Sequence, residues 1–134
     1  MKKNEKPAAT NTLTPAEQNA ARMIEIEKKA AELAVKLNCY KVTPVVFNNP
    51  KTHLIEAVGY LREPTRDQKL AVMDLAGQGQ AFSSATQIFD ICIIKEESDP
   101  RIYSDLPEND MFYLGAVKAA NEMIQMYINQ FKKK

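Results

Sequence analysis

Residues 40–61, YKVTPVVFNNPKTHLIEAVGYL, decide the fold. Tyr40 to Phe47 is rich in Tyr, Val, Thr and Phe, the residue types that suit a pleated, half-buried surface. Asn48-Asn49-Pro50-Lys51 is a turn signal, because Asn tolerates left-handed backbone and Pro presets φ. Leu54 to Leu61 then reads as a returning strand. Leu54, Glu56, Val58 and Tyr60 fall on one face, and Ile55, Ala57, Gly59 and Leu61 on the other. Pro44 has no N–H to give to a ladder, so its strand is expected at an edge or with a bulge there. A lone hairpin is marginal in water. One face must pack on helices, or the edge must pair with another chain.

Helices are written on both sides of this hairpin. Upstream, Thr14-Pro15-Ala16-Glu17 is a helix start: Thr14 caps, Pro15 loses no bond in the first turn, and Glu17 completes a capping box. The predicted helix spans 14–37 and ends at Asn38. Met23, Ile26, Ala30, Leu33 and Leu37 recur at steps of three and four, an apolar seam two heptads long. Such a seam packs on its own domain, or meets a second copy or a partner helix. Ala20, Ile24, Ala31 and Val35 form a weaker second stripe.

Downstream, Thr65 is a cap with Gln68 three residues on, opening a helix whose inner line is Leu70, Met73 and Ala76, flanked by Val72 and Leu75. Gly77-Gln78-Gly79 breaks it. A further helix over 81–93 buries Phe82, Ala85, Ile88, Phe89 and Cys92. Residues 95–110 read as a polar, acidic loop. A last helix runs from Asn109 or Asp110 to about Phe131, with a buried line through Tyr113, Val117, Ala120, Ile124, Tyr127 and Phe131, and Ile128 beside it. Met123 and Met126 fall outside that line and are expected at the surface.

The fold class is therefore α+β: a mostly helical single domain over 14–131 with one antiparallel β-hairpin packed on helices. Residues 1–13, with Lys2, Lys3, Lys6 and Pro7 and almost nothing to bury, read as a disordered arm. At 134 residues there is room for one core. The 45% apolar and 26% charged composition is that of an ordinary globular chain, and a net charge of +1 gives no field to hold a phosphate backbone. No apolar run approaches the ~18 residues of a membrane span. The expected location is the cytoplasm of the cell that makes the chain, the host cell if a phage encodes it. Cys39 and Cys92 are then free thiols beside apolar neighbours.

Chemistry-bearing patterns are scarce. Asp99, Asp105, Glu108 and Asp110 lack the alternating register and Gly turn of a calcium loop, so a solvated loop is expected. His53, the lone histidine, has no Ser, Cys or acid at a spacing that suggests a triad. Gly77-Gln78-Gly79 follows no apolar parallel strand and is a turn, unlike a phosphate-binding loop. No cofactor, metal or small-molecule substrate is expected, and no enzymatic activity. Met side chains adapt to varied apolar partners, which points toward protein binding. The residues read as partner-binding are Met23, Ile26, Leu33 and Leu37 on the first helix, Met123 and Met126 on the last, and Arg62 and Arg66 beside the hairpin.

The order of elements resembles the small tail assembly chaperones of tailed bacteriophages. The resemblance rests on Tyr60-Leu61-Arg62-Glu63-Pro64-Thr65-Arg66 leading from the hairpin into the helices. It rests also on the Cys-containing apolar run 88–94 before Lys95-Glu96-Glu97-Ser98-Asp99-Pro100-Arg101-Ile102. It covers about 40–131; the first helix lies outside it. It implies a non-enzymatic protein that binds the long, helical tape-measure protein, shields its apolar surface and is absent from the finished particle. The strand edge and the heptad seam offer, on the residues alone, a route to self-association. The alternative within tailed phages is a structural virion or head–tail connector protein.

Overall fold

In the computed structural model, which describes residues 13–132, the order is α1 (Pro15–Lys36), β1 (Val42–Asn48), β2 (Ile55–Arg62), α2 (Arg66–Gly77), α3 (Ala81–Cys92) and α4 (Asp110–Lys132). Three short 3-10 turns, Lys95–Glu97, Pro100–Tyr103 and Pro107–Asn109, connect α3 to α4. The arm expected at 1–13 lies outside the described residues apart from exposed Leu13.

The helix starts follow the sequence. At α1, Thr14 Oγ1 accepts from the Glu17 N–H and the Glu17 carboxylate accepts from the Thr14 N–H. Thr65 and Gln68 form the same reciprocal box at α2. Each satisfies two donors that a helix N-terminus otherwise orphans. Asn38 ends α1 in the left-handed region, φ 54°.

β1 and β2 form a two-stranded antiparallel sheet in which Val42 faces Arg62, Pro44 faces Tyr60 and Val46 faces Val58. The hairpin is a middle layer, covered on both faces. Val42, Val46, Val58 and Tyr60 pack against Ile26, Ala30 and Leu33 of α1. Val45, Phe47, Ala57 and Leu61 pack against α3, α4 and Ile102. Strict alternation puts Ile55 with Ala57, but a bulge skips Glu56, so Asn48 pairs with Ile55 and Ile55 joins the α1 side.

The stretch expected as a solvated acidic loop is instead a strap along β2. The Ile94 N–H donates to the Tyr60 carbonyl, the Asp99 N–H donates to the Val58 carbonyl, and the Tyr60 N–H donates to Ser98 Oγ. Ile94, Ser98 and Ile102 are buried. Arg101 anchors it: its guanidinium reaches Asp99 and Glu56, each at 2.8 Å, and lies 4.8 Å from the Phe112 ring centroid.

Three helix faces differ from expectation. In α2 the buried residue is Val72, with Met73, Leu75 and Ala76 half-buried beside it, while Leu70 of the expected inner line is exposed. In α3, Ala85, Ile88, Phe89 and Cys92 are buried as expected, but Phe82 stands in solvent on the first turn. In α4, Val117 and Ala120 are buried as expected, but Phe112, Ala116 and Met123 are buried with them, so among the described side chains the inward face is shifted toward Phe112 and Ala116, and Tyr113 is half-buried against Phe89. The expected core side chains Ile124, Tyr127, Ile128 and Phe131 lie outside the described ones.

Candidate protein-binding surface

The surface that matters follows from how α1 is pinned to the hairpin. At its N-terminal end, the Asn19 amide donates to the His53 carbonyl at 2.7 Å and accepts from the Ile55 N–H at 3.0 Å, a clamp on the hairpin turn. Midway, Lys29 pairs with Glu97 of the strap at 2.9 Å and sits 5.4 Å from the Tyr60 ring centroid. The pair shifts both groups toward charge: hydrogen bonding to Glu97 raises the Lys29 pKa, and Lys29 lowers that of Glu97. Both attachments serve the turn and the β2 side. The β1 side of α1 is left as a groove.

That groove encloses about 810 Å³. It is lined by Ala30, Ala31 and Ala34 of α1 and by Val42, Thr43 and Pro44 of β1, with Glu27 and Lys41 also in the lining. Small residues make the depression. Beside it stand Tyr40, 89% exposed, and Val35, 82% exposed. Cys39 is half-buried in its wall, with Sγ 3.6 Å from the Lys41 carbonyl.

β1 forms the outer edge here, and its chemistry follows from the register. Tyr60 directs both its N–H and its carbonyl at the strap, so the Pro44–Tyr60 pair exchanges no ladder bond. Val42, Pro44 and Val46 therefore turn their backbone polar groups away from β2. In the middle of that row Pro44 offers a ring where an added strand needs an N–H. Pro44 blunts the edge against strand pairing.

The residues singled out in the sequence fall in different places. Met23, Ile26, Leu33 and Leu37 form the α1 face turned onto the hairpin. Ile26 and Leu33 are buried, Met23 and Leu37 half-buried, so the seam is spent inside the domain and is not a free surface. Burying side chains of this size contributes about 1.5–3 kcal/mol each, which is what the hairpin face needs. Met123 is a core residue and not the surface contact expected; only Met126 of that pair is exposed. Arg62 ends β2 half-buried and Arg66 starts α2 exposed, both away from the groove. His53 is an exposed turn residue with φ 63°, held by its N–H to the Asn49 carbonyl at 2.8 Å. Cys92 is buried, and loss of solvation pushes its thiol up to about 12.

The weaker stripe on α1 is the part left outside. Ile24, Ala31 and Val35 are exposed, and Ala31 and Val35 line the groove. Tyr40 carried a signal too: an aromatic residue in the helix-to-strand connection, two residues before β1 and next to exposed Lys41.

A second apolar surface lies on the opposite side of the hairpin. Phe82 of α3, 87% exposed, and Leu114 of α4, 60% exposed, flank a groove of about 400 Å³ floored by Ala85 and Val117. Met111, one turn before Leu114, is 62% exposed. No helix among the described residues is long and apolar enough to cross a membrane. No family model, curated protein or solved structure matches the chain.

Proposed function

We propose that this chain is a non-enzymatic protein-binding protein that shelters an apolar helix, acting as an assembly chaperone for the tape-measure protein of a tailed phage. One observation carries the reading: the α1–β1 groove is lined by three alanines and flanked by Tyr40 and Val35, two of the three most exposed large apolar side chains described. Large apolar side chains at i, i+3, i+4 and i+7 of a partner helix fit such a depression. Pro44 disfavours the other common occupant, an added strand, because its ring displaces the central donor of the edge. Glu27 and Lys41 in the lining suit a helix that carries charges of both signs. The phage assignment rests on the resemblance of 60–66 and 95–102 to tail assembly chaperones.

Co-expression with the tape-measure protein of the same phage tests it. The tape-measure protein is expected to stay soluble and co-elute with the chain, and Tyr40→Asp or Val35→Asp to return it to the pellet. A tape-measure protein that neither co-elutes nor gains solubility overturns the chaperone reading. Recovery of the chain from purified particles would favour a structural virion or head–tail connector protein.

A further inference from the structure

The α3–α4 face stands on the side of the hairpin away from the α1–β1 groove, and the proposed function leaves it unused. Its main feature is a large ring beside a hole. Phe82, on the first turn of α3, is 87% exposed, and the groove next to it is floored by Ala85 and Val117 and walled by Leu114. An aromatic side chain left in water at the mouth of an apolar depression forgoes one of the larger burial energies available to a single residue.

We propose that this face is a two-fold self-association surface, in which Phe82 of each copy enters the α3–α4 groove of the other. Three observations favour a second copy of this chain as the occupant. Knob and hole lie on one face, and a two-fold axis between them satisfies both at once, as an isologous contact requires. Phe82, Leu114 and Met111 together expose on the order of 400 Å² of side chain, close to the apolar share of a standard interface of about 800 Å² per partner. The net charge of +1 adds almost no repulsion between copies.

Sedimentation equilibrium of the full chain across micromolar concentrations tests this. Wild type is expected at twice 15.1 kDa. Phe82→Glu and Leu114→Glu are each expected at the monomer mass, with unchanged far-ultraviolet circular dichroism and thermal midpoint, since neither side chain supports the core. A monomeric wild type overturns the proposal, as does a dimer whose mass both substitutions leave intact. The result is separable from the partner groove: Phe82→Glu is expected to keep tape-measure capture, and Tyr40→Asp to keep the dimer. If Tyr40→Asp abolishes the dimer while Phe82→Glu leaves it, self-association runs through the α1–β1 groove and the proposal is wrong.

Discussion

Tyr60 and Ser98 close the outer edge of β2 between them: the Tyr60 N–H donates to Ser98 Oγ at 3.0 Å, and that hydroxyl donates to the Ile94 carbonyl at 2.7 Å. A serine thus stands in for the neighbouring strand that the sheet lacks. Both residues are buried, so the amide has no recourse to water. Ser98→Ala is expected to destabilise the chain by about 1–3 kcal/mol, the cost of one orphaned buried donor. Urea unfolding measures the loss, and faster amide exchange at Tyr60 localises it. An unchanged urea midpoint would mean that the strap does not depend on this bond.

Arg101 gives the same strap a pH dependence. Hydrogen bonding from its guanidinium holds the Asp99 carboxyl below the usual carboxylate range, against the opposing effect of burial. A lowered folded pKa means a stabilising contribution that is present above the unfolded value, about 4, and is lost as pH falls through the folded one. Arg101→Gln is expected to flatten the acid limb of a urea-midpoint profile below about pH 4. At neutral pH its cost is about 1 kcal/mol, because the ion pairs remain partly exposed to water.

Pro44 makes a prediction of the opposite kind. Pro44→Val restores an outward N–H in the middle of the β1 edge, flanked by Val42 and Val46, and completes a row that another strand can pair with. The folded chain is expected to keep its circular dichroism while light scattering reports masses above the wild-type value, rising with concentration. A Pro44→Val variant with wild-type mass at every concentration would show that the edge is guarded by something other than the proline.

The two cysteines differ in reactivity for a reason that burial supplies. Cys92 is enclosed and its thiol is pushed up to about 12, whereas Cys39 sits half-buried in the groove wall. Only a thiolate attacks a disulfide reagent. Titration of the native chain with such a reagent is expected to modify Cys39 alone, and Cys39→Ser to leave no fast-reacting thiol until denaturant is added. Bound partner in the α1–β1 groove is expected to slow the Cys39 reaction.

The hairpin, its edge proline, both capping boxes and the α1 seam were legible because each rests on chemistry within a few residues of itself. Thr14 with Glu17 and Thr65 with Gln68 are local bonds, and Pro44 lacks its donor wherever it sits. The strap was not legible. Its bonds join Val58 and Tyr60 to Ile94, Ser98 and Asp99, about forty residues on, and acidic composition hid the buried Ser98 and Ile102. The groove was half legible: the Ala31–Val35 stripe was seen, but Tyr40 was read as strand, and the stronger Met23–Leu37 seam drew the partner assignment that its burial withdraws. The rotation of α4 was ambiguous in the sequence itself, because Met111, Phe112, Tyr113 and Leu114 present an apolar residue in every direction around one turn.

Gly115 resolves that ambiguity, and the last prediction tests how. A Cβ built on Gly115 would lie 2.6 Å from Phe47 Cε1, so only glycine lets the β1 ring approach the α4 backbone this closely. The approach seats Phe47 edge-on against Phe112, with ring centroids 5.4 Å apart and planes at 79°, and turns Phe112 and Ala116 inward. Glycine in a helix interior costs about 1 kcal/mol relative to alanine, so Gly115→Ala gains that propensity and loses the ring seat, for which overpacking costs about 1–3 kcal/mol. The single variant is expected to be destabilised on balance. In a Phe47→Leu background the obstruction is gone, and the same Gly115→Ala change is expected to stabilise. A double-mutant cycle by urea unfolding reads this coupling, which should exceed the few tenths of a kcal/mol typical of independent sites. Additive effects would mean that α4 takes its rotation from the α3 contacts alone.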